Sequence, residues 1–77
     1  MKVTLYTKPD CGLCSEAHVA LVRIQARIQF ELETVNIEAD TIAYSRYWDR
    51  IPVVVVDGEE VAAAPIDEER LIAALQR

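Results

Sequence analysis

Few residues in this chain could carry covalent or metal chemistry. Its 77 residues include two cysteines, one histidine and one methionine. A structural zinc site takes four ligands, usually from two cysteine pairs, so this chain falls short of one. No apolar run approaches the ~20 residues that a membrane-spanning helix needs, and no membrane association is expected. Positive charge is scarce as well: 8 Lys and Arg stand against 13 Asp and Glu, a formal net charge of −5. Such a surface repels a phosphate backbone, which removes nucleic acid from the expected partners. The acidity is read as solubility. Repeats, linkers and low-complexity stretches are missing, so one domain over residues 1–77 is expected. A domain of that size buries only about 60% of its unfolded surface. Met1-Lys2-Val3 leads straight into a strand, and no signal peptide is expected. One cysteine pair without an export signal suits a reducing cytoplasm, in which a disulfide is transient.

What is present is concentrated. Cys11-Gly12-Leu13-Cys14 lies between a short strand and a helix. Val3-Thr4-Leu5-Tyr6-Thr7 is rich in β-branched and aromatic residues, as strands are. Lys8-Pro9-Asp10 breaks it, with Asp10 the expected N-cap of the helix that follows. From Leu13 onward, Ala17, Ala20, Leu21, Ile24 and Ile28 repeat as the apolar stripe of a helix. The cysteines therefore belong to a first helical turn. Residues three apart there have Cβ atoms roughly 5–6 Å apart, and a disulfide needs about 3.5–4.5 Å. A small adjustment closes the bridge. A helix N-terminus also carries unpaired N–H groups and roughly half a positive charge, and both favour a thiolate, the nucleophilic form of cysteine. Lys8 adds to that field; Asp10 and Glu16 oppose it. By position, Cys11 is the exposed attacking thiolate, and Cys14, one turn in, resolves the mixed disulfide.

The rest of the chain alternates. Phe30-Glu31-Leu32-Glu33-Thr34 has the alternation of a half-buried strand, expected to bend or end near Val35. Asp40 is expected to cap a short helix through Trp48, with Ala43, Tyr44, Tyr47 and Trp48 on its apolar side. Pro52-Val53-Val54-Val55-Val56 reads as a strand buried on both faces. Asp57-Gly58 is a two-residue hairpin turn, and Glu60-Val61-Ala62-Ala63 returns antiparallel. A last helix runs from Glu68 to Gln76, with Asp67 its N-cap and Ile66 and Leu71 forming a hydrophobic staple. The order is β-α-β-α-β-β-α, with the first two strands parallel.

The CxxC at the head of the first helix, this element order, and Ile51-Pro52 opening the third strand resemble the thioredoxin fold. The length is that of its smallest members, the glutaredoxins. More narrowly, Leu5-Tyr6-Thr7-Lys8-Pro9-Asp10-Cys11-Gly12-Leu13-Cys14 followed by Arg50-Ile51-Pro52-Val53-Val54 resembles a glutaredoxin-like family of short, mostly bacterial proteins with a CxLC motif. The resemblance implies an α/β thioredoxin-like fold, a four-stranded mixed sheet with three helices. It also implies a thiol–disulfide oxidoreductase using a Cys11/Cys14 dithiol cycle, with no bound cofactor. By the same resemblance the Ile51–Pro52 peptide bond is cis, and the backbone of Ile51 pairs with an extended peptide. Substrate contact then falls to Lys8, Leu13, Ile51 and Pro52.

The family pattern leaves the electron donor open. Lys8 matches a basic residue that holds a glutathione carboxylate, and Asp67 lies near the acidic position that meets its α-amine. Ala62-Ala63-Ala64 and Pro65 stand where glutaredoxins place a Gly-Gly pair, and Leu13 stands where they often have an aromatic residue. Glutathione and a protein reductase are both compatible reductants. Disulfide-containing proteins or glutathione are the implied partners, and a monomer is the expected state. Gly12 occupies a position where typical dithiol glutaredoxins have proline, a departure associated with glutathione-assisted [2Fe–2S] carriers. That carrier and a non-catalytic adaptor domain are the alternatives.

Other residues receive lesser readings. His18 lies seven residues past Cys11, roughly 10 Å along a helix axis, and is read as a surface residue. It is also four past Cys14, on that residue's face. Trp48, Tyr44 and Tyr47 are read as packing rather than a substrate platform, with Trp48 half exposed. Glu59, Glu60, Glu68 and Glu69 form a solvated face. Arg50 is placed at the rim of the site, where it could steer an anionic partner.

Overall fold

The computed structural model describes residues 1–76; Arg77, the last residue of the expected domain, lies outside them. Eight elements follow one another: β1 (Lys2–Thr7), α1 (Gly12–Gln25), β2 (Glu31–Asn36), a 3₁₀ turn (Ile37–Ala39), α2 (Thr41–Tyr47), β3 (Val53–Val56), β4 (Glu59–Ala63) and α3 (Glu68–Leu75). The strands form one sheet in the order β2-β1-β3-β4. β1 and β2 pair in parallel, while β1–β3 and β3–β4 are antiparallel. This is the expected α/β architecture, a mixed four-stranded sheet with three helices.

Strand periodicity decides which side chains meet which helices. On one face, Val3, Leu5 and Val54 pack with Ala17, Leu21 and Ile24 of α1 and with Leu71 and Leu75 of α3. On the other face, Val53 and Val55 pack with Ile37 and with Ala43 and Tyr47 of α2, and Tyr6 lies against them. Successive strand residues point to opposite faces, so a run of valines at β3 supplies both layers. That is why Val53, Val54 and Val55 are all buried. Leu5 and Tyr6 divide in the same way.

Local chemistry fixes the turns and caps. Asp57 and Gly58 both have positive φ, 49° and 87°, as a two-residue turn matching strand twist requires. The Asp57 carboxylate accepts the Lys2 N–H at 3.0 Å, fastening the turn to the start of β1. Val54 pairs with Ala62 and Val55 with Glu60, which leaves Val61 as an extra residue in β4. Asp40 accepts the N–H groups of Ile42 and Ala43. Asp67 does the same for Glu69 and Arg70. Ile66 and Leu71, the expected staple, belong to one apolar cluster.

Several strand and helix ends differ from the sequence reading by a residue or so, and β2 and α2 show why. β2 continues through Val35 to Asn36, because β1 offers parallel partners along its whole length, up to Thr7↔Asn36. The parity shift at Val35 is tolerated at an edge strand, where Leu32 and Val35 are both only half-buried. α2 is shorter than expected, with Trp48 its C-cap and a 3₁₀ turn before it. Of its expected apolar side, Ala43 and Tyr47 are buried, whereas Tyr44 and Trp48 are exposed.

Candidate functional site

The chain reverses between β1 and α1 at Lys8-Pro9-Asp10. Asp10 has a φ of 57°, a left-handed conformation that aspartate tolerates better than most residues. Spent on this turn, Asp10 is not the helix cap that the sequence suggested. Cys11 caps α1 instead. Its backbone is extended, φ −115° and ψ 107°, and its Sγ accepts the Cys14 N–H at 3.2 Å. The Cys11 carbonyl accepts the Ser15 N–H at 3.1 Å and its hydroxyl at 3.3 Å.

Cys11 and Cys14 are joined by a disulfide, with Cα atoms 5.2 Å apart. Their exposures differ. Cys11 is partly accessible, while Cys14 is only 3% exposed. The sequence reading expected Cys11 to be the more exposed of the two, and it is. The sulfur of the more exposed cysteine is also the one that accepts an orphan N–H of the helix N-terminus, where negative charge is favoured.

The remaining predicted residues are divided between two openings, only the second of which is lined by the cysteines, with Ile51 outside both. The first is an open groove of about 510 Å³, whose lining includes Leu13, Val19, Pro52, Ala64, Pro65 and Ile66. Leu13 is 57% exposed there. The second is a cleft of about 620 Å³, where Lys8, Asp10, Cys11, Cys14 and His18 meet Thr7 and Thr34. Lys8 and Leu13 thus line different openings, which Ser15 and Val19 both border. The Ile51–Pro52 bond is cis, as the resemblance implies. Pro52 is buried, and the half-buried Ile51 packs against the α2-side cluster and lines neither opening. The Ala64 N–H donates to the Arg50 carbonyl at 3.3 Å, tying this loop to the end of β4.

Arg50 does not reach the rim position expected of it. Its guanidinium donates to Glu60 and to the Arg46 carbonyl, and lies 5.6 Å from the centre of the Tyr47 ring. A carboxylate on β4 and an aromatic face thus hold it on the α2 side. Glu60 and Glu68 are likewise not simply solvated, since Glu68 pairs with Arg23 at 3.1 Å. The sequence reading also missed a second cis bond, Ala64–Pro65. Nothing in an Ala-Pro dipeptide distinguishes the isomers. It missed the cleft as well, since Thr7 and Thr34 reach it only through the β1–β2 pairing. The i, i+4 spacing of Cys14 and His18 was the one available signal.

A thioredoxin-like fold with a disulfide-forming CxxC at its first helix defines the class. Within it, the chain belongs to the glutaredoxin-like domain family (DUF836), whose model matches residues 2–76. Protein Ne2328 from Nitrosomonas europaea is similar in structure, with a TM-score of 0.84 at 30% identity, covering 96% of this chain and 89% of that one. XcR50 from X. campestris gives 0.80 at 36% identity, covering 96% and 95%. A mutant thioredoxin from Halobacterium salinarum NRC-1 gives 0.73 at 19% identity over 97% of this chain and 71% of its own, a likeness of fold alone.

Proposed function

We propose that this protein is a thiol–disulfide oxidoreductase that reduces disulfides of proteins or small molecules through a Cys11/Cys14 dithiol cycle. The observation that carries the proposal is the asymmetry of the pair: an accessible Cys11 that caps α1 and a buried Cys14 one turn behind it. In the cycle, the Cys11 thiolate attacks a substrate sulfur and forms a mixed disulfide. Cys14 then attacks Cys11, releasing the reduced product and leaving the Cys11–Cys14 bridge. The electrons reside in the thiol pair, so no metal or organic cofactor takes part.

The groove beside Leu13 and Pro52 suits an extended peptide, although Ile51 lies outside its lining. Lys8 is the cation available to an anionic partner approaching Cys11. A reductase or glutathione returns the pair to its dithiol form in a reducing compartment such as the cytoplasm.

The test is a redox titration. The protein is equilibrated over graded dithiol/disulfide potentials, free thiols are trapped with a maleimide, and the products are weighed. A single two-thiol transition between about −270 and −120 mV, the range of exchange proteins, is the expected result. Thiols that never pair, or that yield only mixed adducts, would replace this reading with an adaptor domain or a glutathione-assisted [2Fe–2S] carrier. Cys11→Ser is expected to abolish reductase activity, and Cys14→Ser to accumulate the mixed disulfide.

A further inference from the structure

Before Cys14 can attack, it has to give up a proton, and its surroundings make that difficult. Cys14 is only 3% exposed, and burial disfavours a charged form. Its own backbone N–H is committed to Cys11 Sγ. Besides the cysteines, the cleft beside the pair holds three titratable side chains: Lys8, Asp10 and His18. Lys8 is a cation near neutral pH and cannot accept a proton. Asp10 sits on the exposed turn before Cys11, with its backbone in the left-handed region.

His18 is exposed as well, but it sits on α1 rather than on the turn before it. It stands four residues past Cys14 on α1 and lines the same cleft. Residues at that spacing have Cβ atoms roughly 5–6 Å apart. Helical side chains also lean toward the N-terminus, over the preceding turn. A side chain with that lean covers the turn that holds Cys14. Imidazole is the side chain whose charge changes between about pH 5 and 8, which suits it to take a proton and return it.

We infer that His18 accepts the Cys14 proton during resolution of the mixed disulfide. The inference rests on the dithiol cycle proposed above. In the step, a bond forms between Cys14 Sγ and Cys11 Sγ while the bond from Cys11 Sγ to the substrate sulfur breaks. The electron pair leaves with the substrate sulfur, and the Cys14 proton passes to the imidazole, directly or through one water. The substrate thiolate then takes a proton from the imidazolium or from solvent. The other charged side chains lining the cleft with His18 are Asp10 and Lys8. Thr7 and Thr34 add no charge, and Glu16 lines the groove instead.

The two sulfurs can be timed separately. Reduced protein is mixed with the aromatic disulfide 5,5′-dithiobis(2-nitrobenzoate), and thionitrobenzoate release is followed against pH. Attack by Cys11 gives a first release, and displacement by Cys14 a second. The second release is expected to rise through an inflection between about pH 5 and 8. His18→Gln is expected to remove the inflection and slow that release roughly 10²-fold near neutrality, with the first unchanged. Superimposable second-release profiles in the two proteins would overturn the role of His18 and leave the dithiol cycle standing. Equal slowing of both releases would also overturn it, as a general disturbance of α1. No second release in the unmodified protein would remove the cycle and this inference together.

Discussion

At Tyr6 a single phenol reports the balance between burial and charge on the α2 side of the sheet. Its ring lies 4.5 Å from that of Tyr47, tilted by 35°. Burial raises its pKa above the ordinary 10.0, and Tyr47, Asp40 and Glu33 raise it further against a smaller opposing effect of Arg46. The folded protein therefore keeps this proton at a pH where the unfolded chain has begun to lose it. Stability from this source is complete below about pH 10 and falls as pH rises through the folded value. Tyr6→Phe removes that dependence while keeping the ring against Tyr47. Urea unfolding of the two proteins from neutral pH to above pH 10 should show the steeper alkaline loss in the unmodified chain. Parallel profiles would mean that the phenol is as free in the folded state as in the unfolded one.

On the scale of the element, the start of α1 carries both the chemistry and a testable geometry. Gly12 is the first helical residue, and a Cβ built there meets nothing within 4 Å. Cys11 before it is extended, the conformation that a following proline imposes. A first-turn N–H has no helical partner to lose. Gly12→Pro should therefore raise stability by about 0.4–1 kcal/mol, chiefly by restricting the unfolded chain. Chemical denaturation of the reduced proteins measures it, and a loss of stability would show that the first turn needs glycine. Elements whose ends are set by neighbouring residues were legible in the sequence. The Asp57-Gly58 turn, the Asp40 and Asp67 caps and the Ile66/Leu71 staple all stand where local chemistry puts them. What depends on distant partners was not legible. β1 sets the length of β2, Glu60 holds Arg50, and the left-handed turn at Asp10 passes the cap to Cys11. The site divides in the same way. The cysteine pair was plain in the motif, whereas the separation of Lys8 from Leu13 onto two openings arises from the packing of β1 and β2 beside α1.

For the whole molecule the question is what the disulfide contributes to the fold. A bridge stabilises by restricting the unfolded chain, by about 3 kcal/mol for a loop of fifteen residues and less for shorter ones. Cys11 and Cys14 are only three residues apart. Their bridge should contribute no more than about 2 kcal/mol by the same relation. The rest of the fold is held by the two apolar layers, which fully bury Val3, Leu5, Leu21, Ile37, Val53, Val54 and Leu71. Each such side chain is worth roughly 1.5–3 kcal/mol on burial, so several together outweigh the bridge. The same secondary structure should therefore persist after reduction, with a folded state that unfolds cooperatively. Urea denaturation with and without a phosphine reductant, followed by circular dichroism, measures the difference directly. A small shift of the midpoint with an unchanged slope is the expected result, and it is what the proposed dithiol cycle requires, because that cycle has oxidised and reduced forms both present the groove beside Leu13 and Pro52. Collapse of the structure on reduction would make the bridge a structural staple, and a staple cannot turn over.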